Sequence, residues 1–186
     1  IRASFQTGFR NPTTQDLYIG LDVGRAVLIG GAFDNPERYS RNYPVSVAGQ
    51  AITMSGSVTQ TGEAAYEKSY LANSVETFSD STNPADLRIG NSNLAKPEQV
   101  TAFELGYRGK VKSFIIDASA YYNSYKDFLA NETVIAPLYG TVGDNSLSLL
   151  ALQNGDFQAY QTYTNSEAKV NSYGAAIGAN PKVLNG

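Results

Sequence analysis

Cysteine and histidine are both absent from the 186 residues. Their absence excludes thiol and imidazole nucleophiles, an imidazole base, thiolate or imidazole metal sites, and any disulfide framework. No phosphate-cradling glycine motif, catalytic triad or paired general acid and base stands in for them. No enzymatic activity and no cofactor are therefore expected. A thiol-free chain is compatible with an oxidising exterior, where an unpaired thiol is a liability. Basic charge is also scarce: 14 Lys and Arg stand against 17 Asp and Glu, for a formal charge of −3. With no basic stripe to follow a phosphate backbone, nucleic acid is not an expected partner. Long apolar runs are missing too. A stretch such as Ala26–Phe33 falls far short of the ~20 residues of a membrane-spanning helix. A transmembrane strand needs only ~9 to 11 residues of alternating character, so a β-barrel is not excluded. The chain has no initiator methionine and no basic segment followed by the apolar core of a signal peptide. Alternation is under way at Arg2–Phe5, and Asn185-Gly186 follow a strand-like stretch directly. Both ends read as cuts in a longer polypeptide.

What is present is tyrosine and alternation. Thirteen Tyr and eight Phe, with no Trp, suit a boundary where one end of the side chain stays wet. Thr101, Phe103, Leu105 and Tyr107 alternate with Ala102, Glu104, Gly106 and Arg108, which gives an extended strand one apolar and one small or charged face. After a short turn at Gly109-Lys110 the pattern resumes: Phe114, Ile116, Ala118, Ala120 and Tyr122 oppose Ile115, Asp117, Ser119, Tyr121 and Asn123. The two stretches predict an antiparallel hairpin. In a soluble sandwich its polar face would meet solvent; in a transmembrane barrel it would line the lumen.

Shorter copies lie near the ends, with Ala3, Phe5, Thr7 and Phe9 in one and Tyr173, Ala175, Ile177 and Ala179 in the other. The small residues Gly174, Ala176 and Gly178 predict close packing against that last strand's other face. Asn11 as N-cap and Pro12 at the first helical position predict a helical turn ending the first strand. From Gly31 to Glu98 periodicity is weak and Ser, Thr, Asn and Gly abound. Structureless connections beyond ~12 to 15 residues are uncommon in compact domains, so 31–98 is expected to be a long loop, with a short helix over Gly62–Leu71. Short turns on one side and long loops on the other are what bacterial barrels show.

At these residues the chain resembles a known family. Phe5-Gln6-Thr7-Gly8-Phe9-Arg10-Asn11-Pro12-Thr13-Thr14-Gln15-Asp16-Leu17-Tyr18 is similar to a barrel segment of TonB-dependent outer-membrane receptors. Leu94-Ala95-Lys96-Pro97-Glu98-Gln99-Val100-Thr101-Ala102-Phe103-Glu104-Leu105-Gly106-Tyr107-Arg108-Gly109 resembles a later strand, and Tyr121-Tyr122-Asn123-Ser124-Tyr125-Lys126-Asp127-Phe128 the one after it, in the family's order. The loop style resembles receptors of the Bacteroidota. The resemblance implies an all-β fold: part of an antiparallel transmembrane β-barrel with long extracellular loops, 31–98 among them, in the bacterial outer membrane. It implies a plug domain and a terminal strand that this chain does not carry. Expected partners are outer-membrane lipid, the TonB complex acting through the plug, a surface lipoprotein, and a transported small molecule or oligomer such as a siderophore, glycan, peptide or cobalamin. Phe103, Leu105, Tyr107, Phe114, Ile116 and Tyr122 are then expected to face lipid.

Candidate site residues follow, each beside a plainer reading. Gln6, Arg10, Glu104, Arg108 and Asp117 are candidates for the lumen; Glu104, Arg108 and Asp117 could guide substrate there, but ion pairing against a plug is the plainer account. Tyr39, Tyr43, Tyr66 and Tyr70 could stack on a sugar or chelate ring, or pack loops together. Asp34 with Glu37, and Asp80 with Asp86, are close enough in sequence to share a calcium ion, but neither pair follows the EF-hand spacing, and solvated loop acids are the simpler account. Asn131-Glu132-Thr133 fits a glycosylation acceptor, which means little in a bacterial setting. The rivals are a soluble secreted glycan-binding β-sandwich, with its apolar faces buried on a second sheet, and an adhesive β-repeat, for which no regular period is present.

Overall fold

Residues 1–90, 92–144, 146–166 and 168–181 are described in a computed structural model of the chain. The first half runs β1 (Arg2–Arg10), α1 (Thr14–Tyr18), β2 (Gly20–Asp22), β3 (Val27–Ile29), α2 (Asn35–Arg38), β4 (Ser40–Pro44), α3 (Val47–Thr53), β5 (Ser57–Thr61), α4 (Glu63–Glu67), β6 (Tyr70–Leu71) and α5 (Ala72–Ser81). The second runs β7 (Glu98–Val111), β8 (Phe114–Lys126), β9 (Leu129–Pro137), α6 (Leu147–Gln153), β10 (Phe157–Asn165) and β11 (Val170–Pro181). Strands predominate, and among the described residues no helix is long and apolar enough to cross a membrane. The chain divides into two units. One comprises 1–11, 97–128 and 166–186; the other comprises 12–96 and 129–165. Residues 182–186, which carry the expected cut at the chain's end, lie outside the described residues.

The first unit is an antiparallel sheet in the order β1-β7-β8-β11, so its strands lie side by side in the order in which the chain reaches them. Its strands have 9, 14, 13 and 12 residues, enough to span a bilayer at the ~9 to 11 residues a tilted strand requires. The connections alternate: 11–97 joins β1 to β7, two residues join β7 to β8, and 127–169 join β8 to β11. Both long excursions leave and return at one end of the sheet, and the tight turn lies at the other. The sheet is open, as a part of a barrel would be.

Two local details differ from expectation. The hairpin turn is at Lys112-Ser113, because β7 continues through Gly109 and Lys110, which pair with Ile116 and Ile115. Lys112 takes φ of 56° to make it, a left-handed conformation that a glycine would adopt at lower cost, so a search for turn glycines points three residues too early. The cap of α1 is Thr13, not Asn11. Thr13 Oγ1 accepts the Asp16 amide and the Asp16 carboxylate accepts the Thr13 amide, at 3.2 and 2.8 Å. This reciprocal capping box satisfies two donors at once, which a lone Asn cap cannot do.

The second unit is built from both excursions. Its sheet runs β2-β3-β10-β9-β6, with β3 and β10 parallel and the other pairs antiparallel. A first core gathers Val27, Ile29, Ala64, Ala65, Val134, Ala136 and Tyr160; a second gathers Tyr70, Val75, Phe78, Ile135 and Leu152; a third gathers Val45, Leu138, Tyr139 and Ala151. Segment 31–98, expected as a long loop with one short helix, carries α2 to α5 and β4 to β6 and ends in β7. Its elements are mostly two to seven residues long, too short to show a period, and several of their buried partners, such as Val134 and Tyr160, come from the other excursion. The helix expected over Gly62–Leu71 stops at Glu67, since Tyr70 and Leu71 pair with Ile135 and Val134 of β9.

Candidate functional site

The register of the first unit sorts its side chains onto two faces, since residues directly opposite in an antiparallel sheet share a face. Phe5, Phe103, Tyr122 and Tyr173 are opposite one another in one row. Ala3, Leu105, Ala120 and Ala175 form the next row, and Tyr107, Ala118 and Ile177 the one after. The rings of Phe5 and Phe103 are 4.9 Å apart at a 50° tilt, a favoured aromatic geometry. Yet this apolar face is uncovered: Phe103 is 50 % exposed, Leu105 57 % and Ile177 82 %. Phe103, Leu105, Tyr107, Phe114, Ile116 and Tyr122 all belong to it.

Gln6, Arg10, Glu104, Arg108 and Asp117 all fall on the opposite, polar face. Arg2, which the sequence did not single out, donates to Glu104 at 3.1 Å. Arg108 approaches Asp117 at 3.9 Å, directly across β7 and β8. Arg10 grips the carboxylate of Glu98 with two bonds of 2.5 and 2.9 Å. Gln6 is opposite Ala102, in the row that also holds Asn123 and Ser172. A β-carbon added at Gly174 would meet the ring of Tyr121 at 2.7 Å. The close packing expected at that glycine is therefore made by the neighbouring strand's tyrosine.

In the second unit the four candidate tyrosines separate. Tyr70 is buried, its hydroxyl bonded to Ser148 Oγ at 3.0 Å and accepting the Gly143 amide at 2.9 Å. Tyr66 donates to the carbonyls of Ile29 and Tyr163, at 3.0 and 3.3 Å, tying β3 to β10, and burial pushes its hydroxyl pKa up. Both hydroxyls are hydrogen-bonded within the second unit. Tyr39 and Tyr43 converge instead on Tyr160, which is fully buried and donates to Gln60 Oε1 at 2.9 Å and to the Tyr43 hydroxyl at 3.5 Å. Burial and then the neighbouring Tyr43 push the Tyr39 hydroxyl up to about 12, and among the described residues no group meets that hydroxyl at full hydrogen-bond geometry. Beside them Arg41 pairs with Asp22, whose carboxyl is held low by the Gly24 amide and then by Arg41. Tyr160 gives no sign of this role in the sequence, because 117 residues separate it from Tyr43.

The acidic pairs are taken up individually: Asp34 pairs with Arg38, and Asp86 accepts from Ser81. Among the described residues no group of three or more Asp or Glu is placed to hold a metal ion. Asn131 is within β9, paired with Tyr163 of β10.

Comparison with known proteins agrees with the two-faced sheet. Residues 1–182 match the family model described as TonB dependent receptor-like, beta-barrel. No curated protein and no solved structure matches the chain. The matched family is one of transport receptors of the bacterial outer membrane that act with TonB, and is not an enzyme family. The open, strand-rich fold fits a portion of such a barrel. The chain belongs to the TonB-dependent receptor β-barrel family.

Proposed function

We propose that this chain supplies a stretch of barrel wall and its outer loops to a receptor that imports a large nutrient, of the siderophore, glycan, peptide or cobalamin class. The observation that carries the reading is the pairing of an uncovered apolar face with a polar face on strands long enough to cross a bilayer. In that setting Phe103, Leu105, Tyr107 and Ile177 meet lipid, and Gln6, Arg10, Glu104, Arg108 and Asp117 line the lumen. The long, short, long series of connections supports placing 31–98 and the second excursion outside the cell, with Lys112-Ser113 in the periplasm. Tyr39 and Tyr43 are the loop tyrosines kept as cargo contacts, since the hydroxyls of Tyr66 and Tyr70 are committed to the fold. The TonB complex would act through a plug, and a surface lipoprotein would meet the loops.

The test uses spin labels on single cysteines in the complete receptor in lipid, and no native thiol in this stretch interferes. Labels at Phe103, Leu105 and Ile177 are expected to collide with dissolved oxygen and not with a water-soluble nickel chelate. Labels at Gln6, Glu104 and Asn123 should escape oxygen. Water access at Phe103 and Leu105, or their burial against protein as in a soluble sandwich, would overturn the assignment.

A further inference from the structure

Helix α6 of the second unit ends at a glycine that its geometry calls for. Gly155 has φ of +74°; its amide donates to the Leu152 carbonyl at 3.2 Å, and the Asp156 amide donates to the Ala151 carbonyl at 2.8 Å. These paired bonds around a left-handed residue just past the helix form a Schellman cap. The residue before the glycine is committed as well. Asn154 Nδ2 donates to the Tyr139 hydroxyl at 2.9 Å, and that hydroxyl donates to Asp156 Oδ2 at 2.9 Å. Asp156 in turn accepts the amide and hydroxyl of Ser46, which caps α3. Tyr139 and Asp156 are buried, whereas Asn154 is half-buried and Gly155 exposed, with nothing within 4 Å of where its β-carbon would be.

The cap and the Tyr139 bond thus place an asparagine directly before a glycine. In that pair the side-chain amide is open to attack by the next backbone nitrogen, because glycine has no side chain to shield it. Apart from Asn185, no other asparagine of the chain precedes a glycine. We infer that Asn154-Gly155 is a site of spontaneous deamidation, guarded by the cap and by Tyr139, whose reaction loosens the end of α6 and the start of α3. The Gly155 nitrogen gives its proton to hydroxide and bonds to Asn154 Cγ; the Cγ–Nδ2 bond breaks, and Nδ2 takes a proton from water and leaves as ammonia. One water then opens the cyclic imide at either carbonyl, to aspartate or isoaspartate, with no oxidant or reductant. The bonds from the Gly155 amide to Leu152 and from Nδ2 to Tyr139 must open first, so the fold slows the reaction. The product replaces a donor with a carboxylate. Tyr139 has one hydroxyl proton, already given to Asp156, and two carboxylates then compete for it. The new charge also lies at a helix C-terminus, where the macrodipole disfavours an anion.

The test ages the complete receptor at fixed temperature in buffers of rising pH and follows the tryptic peptide 127–169 by mass spectrometry. That peptide also carries Asn131, Asn145 and Asn165, followed by Glu132, Ser146 and Ser166, as internal controls. Asn154 should convert severalfold faster than any of the three, and faster as pH rises. Tyr139→Phe, which releases the side-chain amide, should speed the conversion about fivefold, the worth of one hydrogen bond. Gly155→Ala should slow it, since the added methyl shields the attacking nitrogen even though the cap opens more easily. Should Tyr139→Phe unfold the second unit, the control asparagines would accelerate together with Asn154, and Gly155→Ala then decides. Asn154→Asp, one of the two products made directly, should lower hydrogen-exchange protection of the α6 and α3 amides severalfold. Conversion of Asn154 no faster than that of the controls, or no slower in Gly155→Ala, would overturn the site. Unchanged protection in Asn154→Asp would overturn the loosening.

Discussion

Arg10 and Glu98 face each other across β1 and β7 at the end where the first excursion departs and returns, joined by two bonds of 2.5 and 2.9 Å. The Glu98 side chain is 8 % exposed and that of Arg10 61 %. A pair with one partner sheltered is stronger than an open surface pair, which is worth ~0 to 1 kcal/mol, because the carboxylate has already given up much of its water. Arg10→Ala is expected to cost about 1 to 3 kcal/mol, read as a lower urea midpoint of the refolded receptor in detergent. A midpoint equal to the wild type would show that the pair adds nothing to stability.

Glycines with positive φ should split into two classes. Gly140 has φ of +83°, and a β-carbon there would be 2.2 Å from the Ser148 amide nitrogen, a backbone atom that cannot swing aside. Gly155 has φ of +74° and nothing within 4 Å. Gly140→Ala should therefore destabilise the second unit by more than about 2 kcal/mol and Gly155→Ala by about 1 kcal/mol, the strain alone. Hydrogen exchange of β9 and β10 amides measures both. Equal effects would mean that the contact at Gly140 relaxes freely.

Asp156 is 3 % exposed and accepts from the Ser46 amide, the Ser46 hydroxyl and the Tyr139 hydroxyl, at 2.6, 2.8 and 2.9 Å. Burial opposes its ionisation more than any other single influence, but the two Ser46 bonds and then Tyr139 together outweigh it and hold the carboxyl below its usual range. A carboxylate lowered in the folded state stabilises above its unfolded titration point and loses that contribution as pH falls through the folded one. Protection of the α3 amides should thus be constant above the ordinary carboxylate range and decline in strong acid. Asp156→Asn should abolish that part of the decline and cost about 2 kcal/mol near neutrality. An unchanged acid profile in Asp156→Asn would assign the decline to other groups.

The tyrosine hydroxyls should rank by their partners. Tyr70→Phe leaves the Gly143 amide without its acceptor, and Tyr66→Phe removes a donor from the carbonyls of Ile29 and Tyr163. Each is expected to cost about 1 to 2 kcal/mol. Tyr43→Phe, which gives up a long 3.5 Å contact from Tyr160, should be nearly neutral for stability. Thermal unfolding of the three variants tests the order, and a Tyr43→Phe loss as large as that of Tyr70→Phe would reverse the roles given to these residues.

The alternation in 101–123 predicts the two faces of β7 and β8 correctly, and the same period places Phe5, Tyr173 and Ile177 with Phe103. It misplaces the turn, since Lys112 occupies a conformation that composition assigns to glycine. The charged residues of the polar face are visible as Glu104, Arg108 and Asp117, but not as pairs. Arg2 and Glu104 are 102 residues apart, and only the β1–β7 register makes them neighbours.

A period of two is a property of consecutive residues, set by backbone geometry that puts successive side chains on opposite faces. The sequence by itself therefore determined the strands of the wall, their two faces and the family motifs they carry. The tertiary structure decided the rest. Merging two excursions into one sheet through the parallel pairing of β3 with β10 joins residues with no local relation, such as Val27 and Tyr160. Such pairing is stabilised by apolar burial that exists only once both segments are present, and no single segment displays that energy in its own residues.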